Sequence, residues 1–225
     1  MDPREQEKAA RVEALAARLA EEMGEGGATG AAVFVRELYG HAAVADVLGP
    51  GDEDLLGAAR ALWQFAAERQ PGEPKLRIYQ PTRAGHGWDG GNVVIECIND
   101  DMAFIVDSVT QALKGLDVDT LLVLHPILSV ERDEQARLQR VGLVSDEAVG
   151  GRSESWMHLQ VRRLTRQRFG EVQARLEAVL GDVRAAVDDW KAMRRRVRDQ
   201  IREFDRDPPR VPKREIREVG AFLEW

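Results

Sequence analysis

The sequence predicts an α+β chain, a small antiparallel sheet with helices packed on it and further helices at both ends. Three observations carry this. The hydrophobic period switches from strand to helix between Asn92 and Leu116; apolar strand-like runs recur at 118–130 and 155–163; and Ala-, Glu- and Arg-rich helical stretches occupy both ends. With 225 residues, 44% apolar and 32% charged, the chain can bury one sizeable core with helical flanks.

In chain order, residues 4–23 form a helix with Val12, Leu15, Leu19 and Met23 in one stripe, and a glycine-rich break at 24–30 ends it. Residues 31–39 and 53–69 predict two more helices, the second burying Leu55, Leu56, Ala59, Leu62, Trp63 and Ala66, with Gly49, Pro50 and Gly51 between them. Residues 1–70 are thus a helical subdomain. Pro71, Gly72 and Pro74 make a hinge into a short strand at 75–79, closed by Pro81.

Gly85, Gly87 and Gly90 spell GxGxxG, the spacing of a dinucleotide loop. That loop needs a strand before the glycines and a helix opening within them, so that the pyrophosphate meets the helix N-terminus. Here the glycines lead into a strand, which predicts a flexible loop. Val93, Val94, Ile95, Cys97 and Ile98 form that strand, and Asn99, Asp100 and Asp101 stop it. Met102, Ile105, Val106, Val109, Ala112, Leu113 and Leu116 then follow helical spacing. The three polar residues are expected to cap this helix, two of them as acids at the positive end of its dipole.

Residues 118–130 predict one long strand, apolar on both faces: Leu122, Leu124 and Leu128 on one, Leu121, Val123 and Ile127 on the other. One helical layer cannot cover both, so the flanking helices or a second copy of the sheet must supply another. Pro126 lacks a ladder donor and predicts a bulge or an edge. A weak strand is expected at 137–144 and a loop at 150–154. Residues 155–163 alternate, placing Met157, Leu159 and Val161 inward and His158, Gln160 and Arg162 outward. Helices follow from 165 to about Gly181, with Phe169, Val172, Leu176 and Val179, and from 182 to 204, with Val183, Val187, Trp190, Val197 and Ile201. Pro208, Pro209 and Pro212 break the second, and 215–225 reads as a helix cut off in its first turns, as expected of a piece of a longer chain.

The strand, helix, strand, strand, helix order at 93–181 is a ferredoxin-like sandwich without its last strand, a place that 75–79 could fill. The expected division is a helical subdomain at 1–70, the α+β domain at 71–181 and a helical linker at 182–225.

Net charge is −7, unevenly spread: −12 over 1–161, +7 over 162–217 and −2 over the rest. Lys191, Arg194, Arg195, Arg196 and Arg198 could meet nucleic-acid phosphates, but interleaved acids and the lack of a binding motif favour a solvated face or a patch docking on an acidic surface. No stretch reaches membrane-span length and no signal-peptide pattern opens the chain, so a cytoplasmic location with no membrane partner is expected. The lone cysteine, Cys97, reads as a buried small hydrophobe.

The chemical candidates assemble no catalytic site. Glu96, between Ile95 and Cys97, is either a buried acid or faces outward on an exposed or subunit-facing side. His125 and His158, on different strands, could approach each other but lack the Cys or spaced acids of a metal site. Asp107 and Ser108 lie off the apolar stripe of their helix with no histidine placed to activate the serine.

The runs IECINDDMAFIVDSVTQAL, LLVLHPIL and ESWMHLQV closely resemble the N-terminal region of the large bacterial NAD-dependent glutamate dehydrogenases, a region that resembles a regulatory ACT domain. The likeness extends from about Phe34 through YGHAA and FAAERQPGEPKLRIYQP to AFLEW, while 1–30 carry little of it. It implies an ACT-like sandwich with helical flanks that is a non-catalytic regulatory and assembly part of an enzyme deaminating L-glutamate with NAD. The cofactor would belong to the parent enzyme and none to this chain. Implied partners are downstream domains of the same polypeptide, further copies in a homo-oligomer, and a small amino-acid effector at Asn99, Asp100, Asp101 and Met102. There the acids would meet the ligand amine and the helix N-terminus its carboxylate. Two departures stand out: the family usually has Pro after Asp-Asp-Met, where this chain has Ala103, and effector-binding ACT domains commonly place Gly where Met102 and Ala103 stand.

Overall fold

A computed structural model describes residues 2–146, 150–206 and 211–224. It divides into two compact units, 1–180 and 181–225. Helix α1 (Pro3–Gly40) is capped by Asp2, whose carboxylate accepts from the Arg4 N–H, with Pro3 in the first turn. The expected seven-residue break is a single residue, Gly24 at φ 66°, after which the helix resumes. Glycine at that φ carries no steric cost, and the remaining glycines stay helical under tertiary packing: a Cβ on Gly30 would press on Val141. A short helix α2 (Val44–Leu48), not anticipated, and α3 (Asp52–Ala66) complete this layer.

The sheet holds β1 (Lys75–Tyr79), β2 (Val93–Asp100), β3 (Asp119–Leu124), β4 (Ile127–Arg132), β5 (Leu138–Leu143) and β6 (Arg152–Arg162), all pairs antiparallel, in the order β1-β2-β6-β4-β5 with β3 also on β6. β1 therefore fills the vacant fourth place of the sandwich. The expected long strand at 118–130 is split at His125–Pro126, because proline has no N–H for the ladder. β3 shifts register on β6 between Thr120 and Leu122, and from Leu122 onward both halves lie along β6 in one register, Leu124 opposite His158 and Ile127 opposite Ser155, with the Trp156 N–H donating to the Pro126 carbonyl (3.0 Å). β6 begins inside the expected loop at 150–154.

Two helical layers cover the sheet. On one face Ile98, Leu124, Leu128, Val130 and Trp156 share a core with Leu15, Leu19, Phe34 and Leu38 of α1 and Leu56 and Leu62 of α3. Trp156 packs at ring-centroid distances of 5.3 Å from Phe34 and 6.0 Å from Trp63. On the other face Ile95, Cys97, Met157 and Leu159 are buried, as are the inner stripes of α5 (Ile105–Gly115) and of the opening of α6 (Phe169–Arg206). The face of 118–130 that carries Leu124 and Leu128 is thus covered by this chain's own helices. The same cover corrects the half-exposed reading of β6: His158 is buried.

Glycines 85–90 lie outside any strand-to-helix phosphate loop: Arg83–His86 form a short helix (α4), Gly87 ends it in the left-handed region, and Trp88 is buried against Gly57 of α3, where a Cβ would collide with the indole. α6 runs unbroken through Gly181, where two helices were expected, and α7 (Lys213–Glu224) follows. The predicted break at Pro208 and Pro209 and the final Trp225 lie outside the described residues. Among those described, no helix is long and apolar enough to cross a membrane.

Candidate functional site

The turn from β2 to α5 was the predicted site, and the structure separates its four residues into two pairs. β2 extends through Asn99 and Asp100, two residues further than the apolar run suggests, because these residues pair with Ser155 and Glu154 of β6. Asn99 is buried there. The Asp100 carboxylate accepts from Arg69 Nη2 at 2.6 Å. Neither caps α5, whose N-cap is Phe104 with no side-chain hydrogen bond to the first turn. Phe104 sits at φ 69° and is 72% exposed, a conformation that an aromatic residue adopts only under local constraint.

Asp101 and Met102 lie beyond the strand, where the Asp101 N–H donates to the Ser153 carbonyl (2.9 Å). With Phe104, Val106, His125 and Ile127 they line an open concavity of about 290 Å³. His125 Nε2 lies 2.5 Å from Ser155 Oγ. Burial pushes the imidazole below its ordinary pKa, against the opposing pull of the Asp101 carboxylate, so His125 is neutral at pH 7. The groove offers two carboxylates, Asp101 and Asp107, one neutral imidazole and apolar walls.

The two histidines do not meet. Ser155 and His158 are three residues apart on one strand and so face opposite sides; His125 contacts the first, while His158 Nδ1 lies 3.2 Å from Glu96 Oε1. Glu96 is the buried acid of the two readings. It also accepts from Arg77 Nε (2.6 Å) and the Tyr79 hydroxyl (3.0 Å), and burial, with the Glu96 charge, raises the Tyr79 pKa. Among the described residues no three His, Cys, Asp or Glu side chains converge as metal ligands. Cys97 is buried and its thiol pKa is pushed up to about 12 by desolvation, so it is inert.

A second buried network was not anticipated. Glu154 accepts from Arg132 Nε (2.7 Å) and Nη2 (2.9 Å), from Arg69 Nη2 (2.9 Å) and from the Trp156 indole N–H (2.9 Å). Burial alone would raise the Glu154 carboxyl, but the Arg132 hydrogen bonds and the two guanidinium charges outweigh it and hold it below its usual range. Arg69 also donates to the Glu73 carbonyl (2.9 Å), so it ties the hinge after α3 to β2 and β6. The only sequence signal was charge where a covered sheet should be apolar: Glu154 and Trp156 fall on the same face of one strand.

The family model described as glutamate dehydrogenase, ACT1 domain, matches residues 34–176. The chain is 31% identical over 194 residues to the NAD-specific glutamate dehydrogenase of Halomonas elongata, covering 85% of this chain and 12% of that protein. To the NAD-specific glutamate dehydrogenase of Pseudomonas aeruginosa it is 27% identical over 216 residues, 94% of this chain and 13% of that protein. To that of Mycobacterium tuberculosis it is 24% identical over 174 residues, 76% of this chain and 10% of that protein. The chain therefore spans only about an eighth of the length of the first two relatives.

Proposed function

The chain belongs to the glutamate dehydrogenase ACT1 domain family, and from that premise we propose that it is a non-catalytic regulatory and assembly module of an NAD-dependent glutamate dehydrogenase. Its parts would be the helices at 1–70, the sandwich at 71–181 and a helical linker at 182–225. The parent would convert L-glutamate, NAD and water to 2-oxoglutarate, ammonia and NADH in the cytoplasm, holding NAD in domains downstream of these residues.

The observation that carries this reading is the place of the match: it spans the sheet and part of its helical cover, within relatives named for glutamate oxidation that are several times longer. An assembly role draws on β3, which pairs only with β6 among the described residues, and on Leu121 and Ile127, which are 39% and 37% exposed. An edge strand with apolar neighbours is suited to a second copy. The test is glutamate-dependent NAD reduction by the 225-residue chain beside the intact polypeptide, with light scattering on both. The chain alone should give no turnover, and Leu121→Asp should lower the mass of any assembly. Turnover abolished by a substitution within these residues would refute the reading.

A second reading, an amino-acid effector site, is favoured by the groove at Asp101, Met102, Phe104 and His125. Its volume suits one small amino acid, and Asp101 would receive the ammonium group. Calorimetry against a panel of amino acids should show heat that Asp101→Ala weakens; tight binding indifferent to Asn99, Asp100 and Asp101 would move the site elsewhere.

A further inference from the structure

In the second unit, the part of α6 beyond Leu180 carries Val183, Val187, Trp190, Arg194, Val197 and Ile201 at alternating steps of four and three. That is the a/d spacing of a helix meant to lie along another helix. Trp190, Met193 and Val197 are 45%, 54% and 36% exposed, and Arg194 stacks on the Trp190 ring with its guanidinium 4.7 Å from the centroid. The positions from Trp190 to Arg198 hold five cations and no anion.

From this spacing and charge we propose that the 187–201 stripe docks an acidic amphipathic helix from outside this chain. Charge argues against a second copy as occupant. The positions following Trp190 and Val197 are Lys191 and Arg198, whereas the opposite flank carries Met193 and Gln200. Parallel self-pairing would set cations against uncharged residues, and antiparallel self-pairing would set cations against cations. A partner with Leu or Ile at its a/d positions and Glu beside them satisfies both features: its apolar ridge covers Trp190 and Val197, and its carboxylates meet Arg194 within the stripe and Arg198 beside it. The proposal does not depend on the regulatory reading.

The experiment uses the whole chain and three fluorescent probes: a synthetic heptad peptide with Leu seams and Glu flanks, the same peptide with Lys flanks, and a DNA duplex. Sedimentation of the chain alone is measured alongside. The Glu-flanked peptide should bind, the Lys-flanked one should not, and Trp190→Glu with Val197→Glu should weaken binding at least tenfold while circular dichroism keeps its helix content. Arg198→Glu, which leaves the apolar stripe intact, should also weaken it. No binding of the acidic peptide, binding indifferent to both variants, tighter binding of the duplex, or sedimentation as a dimer that Trp190→Glu dissociates would each overturn the proposal.

Discussion

The two faces of the sheet bury comparable apolar side chains but differ in what else they enclose. Beneath α5 and α6 lie Ile95, Cys97, Met157 and Leu159, with no charge among these strand residues. Beneath α1 and α3, Trp156 shares its face with Glu96, His158 and Glu154, which draw Arg77, Arg69 and Arg132 in from neighbouring elements. An apolar face tolerates small shifts of its cover, because dispersion and burial are non-directional. A face with desolvated carboxylates accepts only the docking that brings their guanidinium partners within reach. The difference assigns the two covers different tasks: α5 and α6 supply burial, while α1 and α3 supply burial in one fixed register.

The sharpest way to break this comparison is Arg69→Met. It removes a partner of both Asp100 and Glu154 while keeping the length of the side chain, and should cost about 3 to 5 kcal/mol in urea denaturation. Leu159→Ala on the apolar face should cost about 2 to 5 kcal/mol by opening a cavity. Its effect should not depend on pH between 4 and 7, whereas that of Arg69→Met should shrink as the carboxylates protonate. A loss below about 1 kcal/mol for Arg69→Met would remove the charged network from the account.

Acid and base should separate the faces next. The Glu154 pKa is depressed in the folded chain, so its contribution is present above the unfolded carboxyl value of about 4.3 and is lost as pH falls through the folded value. Glu154→Gln, less stable at pH 7, should show a shallower decline below pH 4. Cys97 on the other face has the opposite sign. Its thiol is raised to about 12, so its contribution is complete below the unfolded value of about 8.5 and fades as pH rises toward 12. Cys97→Ala should therefore flatten the alkaline limb of the stability curve and leave the acid limb unchanged.

The smallest expected effect lies where neither face is involved. Phe104→Gly relieves a left-handed conformation and removes an exposed ring, so it should stabilise the chain by about 0.5 to 1 kcal/mol in urea denaturation. Destabilisation instead would mean that the ring contributes contacts in the folded chain.

Period alone located the strands well. β1 falls at Lys75–Tyr79 as predicted, and β2, β5 and β6 lie within three residues of their expected bounds. What sequence period could not supply was the identity of the cover. His158 alternates with apolar residues and so reads as solvent-facing; the packing of Trp88 and α3 over this face of the sheet makes it interior. Asn99 and Asp100 read as helix caps because polar residues between a strand and a helix usually are. Pairing with β6 and the Arg69 ion pair hold them in the strand instead. The glycines at 24–30 lower helix propensity without deciding it, and contact with β5 kept all but Gly24 helical. Of the candidate site, Asp101 and Met102 were legible as groove residues, while Phe104 and His125 came from packing across elements distant in sequence.

The central claim is that α1 and α3 belong to the same cooperative core as the sheet. Native-state hydrogen exchange on the whole chain tests it most directly, comparing buried amides of α1 (Leu15, Leu19, Phe34, Leu38) and α3 (Leu56, Leu62) with those of β2 and β6 (Ile95, Cys97, Met157, Leu159). The account predicts opening free energies that agree within about 1 kcal/mol and fall together with added urea. Helices that open several kcal/mol more easily, while the strands stay protected, would contradict it.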